Sequence, residues 1–127
     1  MAEGSQGFHE AAESLAPLTR DMHRAIVSLM EELEAVDWYQ QRVDATGDPE
    51  LREILAHNRD EEKEHAAMVL EWIRRRDRGF DRYLRRYLFT EGSILAIEEA
   101  AEAADAPAGA DGSRSPTPGI GSLRRRR

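Results

Sequence analysis

DPELREILAHNRDEEKEHAAMVLEW, residues 48–72, decides how this chain folds. Leu51, Leu55, Asn58, Glu62, His65, Val69 and Trp72 follow one another at alternating steps of four and three, which places all seven on one stripe of a helix. Asp48 supplies the cap, and Pro49 takes the first helical position, where the missing amide proton costs nothing and φ is already set. The spacing predicts a helix over 49–77, ending before Gly79. Two consecutive core positions of its seam, Glu62 and His65, are ionisable.

Upstream, Leu15, Leu18, Met22, Ile26, Leu29, Leu33, Val36 and Val43 recur at helical steps and predict a long amphipathic helix over 14–45, with Pro17 in its first turn. The run Thr46-Gly47-Asp48-Pro49 leaves room only for a tight connection, so the two helices form an antiparallel hairpin. Short amphipathic pieces follow at 81–88 and 93–104, with Gly92 and Ser93 between them as breaker and cap. The chain is therefore read as all-α, with a helical domain over 14–104 and a flexible N-terminus over 1–13. Residues 105–118 are almost all small or polar and read as a flexible linker. At its far end GIGSLRRRR, residues 119–127, carries two isolated aliphatics, Ile120 and Leu123. A two-helix hairpin has little interior of its own and leaves one face of each seam bare. The pattern calls for a second copy, two hairpins closing a four-helix bundle.

Composition narrows the chemistry. The absence of cysteine excludes disulfides, thiolate zinc sites, iron–sulfur clusters and cysteine nucleophiles, so any metal must be held by carboxylate and imidazole. Charged residues make up 34% of the chain and aromatics 6%, as in a helix-rich domain. The net charge of −7 is concentrated in residues 1–104, which hold 13 Lys and Arg against 23 Asp and Glu. Such a surface disfavours nucleic acid and attracts cations. The apolar runs are too short for a membrane span, and the first residues lack the parts of a signal peptide. The expected compartment is the cytoplasm.

Glu62 and His65 stand in a seam that is otherwise apolar but for Asn58. An uncompensated carboxylate there costs several kcal/mol, of order 3, so a partner or a metal must offset it. Glu-x-x-His sets carboxylate and imidazole on one face within reach of a single cation, the spacing of carboxylate-bridged di-iron bundles. A buried ion pair or a polar register device fits the same two residues. On the first helix Glu32 sits at the edge of the apolar stripe and can face the same interior. A full di-iron site of this type takes two Glu-x-x-His units and two further glutamates, whereas one chain has one of each. Two chains supply the set, which places the site on a two-fold axis. Oxygen-rich ligation with one imidazole per metal suits iron or manganese, and zinc or calcium could occupy it without turnover. Tyr39, one heptad after Glu32, either hydrogen-bonds a liganding carboxylate or packs with its hydroxyl in water. Glu31, Glu34 and Trp38 lie on the side away from the stripe, as a solvated face or as a cation inlet. Asp60, Glu61 and Glu64 read as surface charges, and His9, His23 and His57 as exposed.

Residues 23–28 (HRAIVS), 30–39 (MEELEAVDWY), 57–68 (HNRDEEKEHAAM) and 88–92 (LFTEG) resemble the encapsulated ferritins, ferritin-like proteins packaged inside encapsulin shells. The resemblance covers nearly the whole chain apart from the extreme N-terminus and the linker. It implies a two-helix protomer, an annular decamer built as a pentamer of dimers, and a ferroxidase centre between subunits that oxidises Fe2+ with O2. It further implies Glu32, Glu62 and His65 as iron ligands, Tyr39 beside them, and Glu31, Glu34 and Trp38 along a metal inlet. Gly119 to Arg124 resembles a shell-targeting peptide whose Ile120 and Leu123 dock on the inner wall, while the arginines after it depart from the expected ending. Storage of mineral would then fall to the shell. Two rivals stand beside this reading: a non-catalytic metal-binding helical oligomer, and a di-iron peroxidase like the rubrerythrins.

Overall fold

The computed structural model describes residues 7–106. It contains helices and no strand among these residues: a 3-10 turn at Ala12–Ser14, then α1 (Pro17–Ala45), α2 (Pro49–Arg76), α3 (Arg78–Tyr87) and α4 (Ile94–Asp105). The chain divides into two units, one ending at Arg85 and the other beginning at Arg86.

The long helices begin and end where their sequence dictates, with instructive shifts. The sequence places the start of the first helix at Ser14, but Pro17 is its first residue and Ala16 before it is extended at ψ 150°. A proline disfavours helical geometry in the residue ahead of it, so the helix cannot reach back past Pro17. Asp48 caps α2 as expected, its Oδ1 accepting from the Glu50 and Leu51 amides at 2.9 and 3.4 Å. Arg52 closes the hairpin by donating to the Thr46 carbonyl at 2.6 Å. The break after α2 falls at Asp77, close to its expected end, but the next helix begins at Arg78 and not near Asp81. Asp77 ends α2 and caps α3, its carboxylate accepting from the Phe80 amide at 2.8 Å, so one short acidic side chain serves both helix ends.

α1 and α2 pack along their length as the antiparallel pair. Arg59 of α2 ties them by donating to Gln40 of α1 at 2.8 Å. Arg74 then links α2 to the first turns of α3 through Glu71 and Asp81. In the second unit Ser93 caps α4, accepting from the Ala96 amide at 3.2 Å. Phe89, wholly exposed, takes a left-handed backbone with φ 61°, as does Gly92 at φ 83°.

Very little of the hairpin is interior. Ala66 and Ile73 are the buried hydrophobic residues among those described, while Leu18, Leu33, Ile54 and Met68 remain 51 to 59% exposed. Apolar surface of this extent along both long helices is what a partner would cover.

Candidate metal centre

The seam of α2 carries Glu62 and His65 one helical turn apart, so their side chains meet on the same face. His65 Nδ1 donates to Glu62 Oε1 at 2.9 Å, and both side chains are partly covered. The other ring nitrogen, Nε2, stands 3.8 Å from Glu61 Oε2, too far for a hydrogen bond. Glu61 instead takes His57 Nε2 at 3.0 Å on the exposed side.

Glu32 faces this pair from α1. Its carboxyl is pushed above the ordinary carboxylate range, first by burial and then by the negative charge of Glu62, with His65 acting in the opposite sense. Glu31, its neighbour on α1, raises it further. One oxygen, Oε2, is shut off from solvent and has no hydrogen-bond partner among the described residues. A buried carboxylate oxygen left unpaired costs about 1–3 kcal/mol, and a cation bound there removes that cost. Glu32 and the pair it faces, Glu62 and His65, make two carboxylates and an imidazole, the donor chemistry of an iron or manganese site. Within one chain, no three His, Asp or Glu side chains among the described residues converge closely enough to hold a metal ion.

The other residues singled out in the sequence have surroundings of their own. Tyr39 is half-buried, with the Arg42 guanidinium 5.5 Å from its ring centroid, and the same guanidinium lies 6.0 Å from the Trp38 ring. Trp38 and Glu31 are exposed and Glu34 is half-buried, and Glu31 acts on the Glu32 carboxyl. Asp60, Glu61, Glu64, His9 and His57 are exposed, in keeping with the spacing. His23 is not: it is half-covered, with the Phe8 ring packed edge-on at a centroid distance of 4.9 Å. Glu61 is the residue that spacing undervalued. It stands four residues from both His57 and His65, so a single carboxylate lies beside both rings. Ile120 and Leu123 lie outside the described residues.

Three comparisons bear on this centre. The sequence profile of the EncFtn-like family matches residues 7–91. The chain is 59% identical to a Rhodospirillum rubrum protein named "Encapsulated ferritin-like protein", over 98% of this chain and 92% of that one. It is 34% identical to the Myxococcus xanthus "Encapsulin nanocompartment cargo protein EncC", over 74% of this chain and 77% of that one. Among solved structures, that of protein ne0167 from Nitrosomonas europaea superposes with a TM-score of 0.67 at 66% identity, covering 69% of this chain and 97% of the other. The match supports the all-helical, ferritin-like architecture of the hairpin.

Proposed function

The chain belongs to the EncFtn-like family of encapsulated ferritin-like proteins, and from that premise we propose that it is a ferroxidase cargo of an encapsulin nanocompartment. Fe2+ is the substrate, O2 accepts its electrons, and the Fe3+ released feeds mineral growth in the surrounding shell. The observation that carries the reading is the unpartnered, buried Oε2 of Glu32 opposite Glu62 and His65.

The residues divide the work as follows. Glu32 and Glu62 supply the hard, charged oxygens that bind Fe2+ and hold Fe3+ more tightly as its charge rises. His65 supplies an imidazole nitrogen as the third ligand. The Glu62 contact orients the ring before any metal arrives. Tyr39 hydrogen-bonds a liganding carboxylate, and Glu31, Glu34 and Trp38 form the inlet along which Fe2+ approaches. One Glu-x-x-His and one opposing glutamate make half of a two-iron site, so the working centre lies between two copies. Each copy contributes Glu32, Glu62 and His65, the exposed seams close on one another, and five such dimers form a ring. Ile120 and Leu123 dock the ring on the shell wall inside a cytoplasmic compartment.

A non-catalytic reading draws on the same Glu62–His65 contact, taken as a self-satisfied pair that at most holds zinc or calcium. It leaves the Glu32 oxygen without a purpose. Aerobic Fe2+ addition, followed by ferric absorbance, decides between them. Glu32→Ala, Glu62→Ala and His65→Ala are each expected to slow oxidation at least tenfold, a loss of about 1.4 kcal/mol or more of transition-state stabilisation. Unchanged rates in all three would leave the non-catalytic reading standing.

A further inference from the structure

The described chain is acidic except at one place. Between Arg74 and Arg85, six arginines fall within twelve residues: Arg74, Arg75, Arg76, Arg78, Arg82 and Arg85. Crowded guanidinium groups repel, and part of that charge is tied down locally. Arg74 binds both oxygens of Glu71, at 2.7 and 2.8 Å, and also reaches Asp81. Arg76 lies over the Trp72 ring at 4.2 Å. Arg75 and Arg85 are held differently. Each gives only its Nε to a carboxylate, Arg75 to Glu71 at 2.7 Å and Arg85 to Asp81 at 2.8 Å. Their side chains stay 67% and 69% exposed.

This arrangement fixes two guanidinium planes by one edge and presents the remaining N–H groups to solvent. Arg75, Glu71, Arg74, Asp81 and Arg85 form a continuous network across the end of α2 and the start of α3. Arg78, exposed at the first position of α3, shares a helix face with Arg85 two turns on, about 10 Å along the axis. A planar, oriented guanidinium fork matches phosphate oxygens in pairs, which an ammonium group does not.

We propose that Arg75, Arg78 and Arg85 form a binding surface for phosphate oxyanions, separate from the iron centre. Guanidinium groups about 10 Å apart along α3, with Arg75 joined to Arg85 through the ion-pair network, favour linked phosphates over a single one, because each further contact forms at high effective concentration. Delivery of phosphate to newly formed Fe3+ is the use such a surface would have. That use rests on the ferroxidase reading, whereas the binding itself does not.

Calorimetric titration of the full-length, iron-free protein at physiological salt separates the two, with orthophosphate and tripolyphosphate as probes. Tripolyphosphate is expected to bind at least tenfold more tightly than orthophosphate. R75Q/R78Q/R85Q is expected to weaken it at least tenfold, since the loss of even one charge-assisted bond is worth about a factor of ten. R75K/R78K/R85K, which keeps the charge but not the fork, should fall between, and it guards against a folding defect in the glutamine variant. Tighter orthophosphate binding that is lost in the same variants would identify the free ion as the ligand and still support the surface. Absent binding, binding indifferent to these variants, or equal affinity for a DNA oligomer of matched charge would overturn the proposal.

Discussion

At the scale of single residues, the seam of α2 explains why Glu62 and His65 could be picked out from sequence: they interrupt a run of apolar core positions, and only a partner or a metal offsets that. Glu32 was less legible. Its place at the edge of a stripe says that it can face inward, but whether an oxygen ends up shielded and unpaired depends on how α1 and α2 set their faces against each other. The raised carboxyl and the orphaned Oε2 supply that missing information. On the proposed reading they also make Glu32 a residue whose metal-binding role opposes stability. Glu32→Leu is therefore expected to stabilise the iron-free protein by about 1 kcal/mol, read as a higher denaturation midpoint in urea, while abolishing iron oxidation. A destabilised variant would mean that the carboxylate is satisfied and not poised for a cation. His23 escaped the sequence reading because its cover comes from Phe8, fifteen residues away, where no helical period applies.

At the scale of elements, the hairpin was readable because its signals are local: a seven-residue seam, a capping aspartate and a proline at N1. Boundaries moved where two signals compete. Gly79 looks like the breaker after α2, yet Asp77 caps α3 and carries Gly79 into that helix. In the arginine network at this junction, the pairs of Glu71 with Arg74 and Arg75 and of Asp81 with Arg85 keep helical spacing, whereas the Arg74–Asp81 pair crosses from α2 to α3 and gives no periodic signal. The network does give a pH dependence. Hydrogen bonds from Arg74 and then Arg75 hold the Glu71 carboxyl down at about 2, from an ordinary 4.5. A depressed carboxyl contributes stability above its unfolded value and loses it as the pH falls toward its folded one. The junction should therefore weaken between about pH 4.5 and pH 2. Comparing acid unfolding of the wild type with Glu71→Gln checks this: the two should differ at neutral pH and converge near pH 2. Solvent screening keeps the effect modest, because Glu71 is 41% exposed.

At the scale of the whole molecule, the hairpin's shortage of interior matters most. With Ala66 and Ile73 as the buried hydrophobic residues among those described, α1 and α2 have folded without closing a core, and their uncovered apolar faces are what the proposed dimer would bury. The sequence points to a partner by counting: one Glu-x-x-His, one opposing glutamate, two bare seams. It could not say how copies are arranged, because that depends on surfaces of two chains at once. The tail is tested separately. Deleting residues 119–127 is expected to leave iron oxidation intact and to abolish co-purification with the shell; retained packaging would place the anchors elsewhere. The central claim, an iron centre shared between two copies, is met most directly by a crystal structure of the protein grown with Fe2+, with iron located by anomalous scattering. The account predicts two ions astride a two-fold axis, each held by Glu32, Glu62 and His65 drawn from both chains. Iron bound within a single hairpin, or away from these three residues, would contradict it.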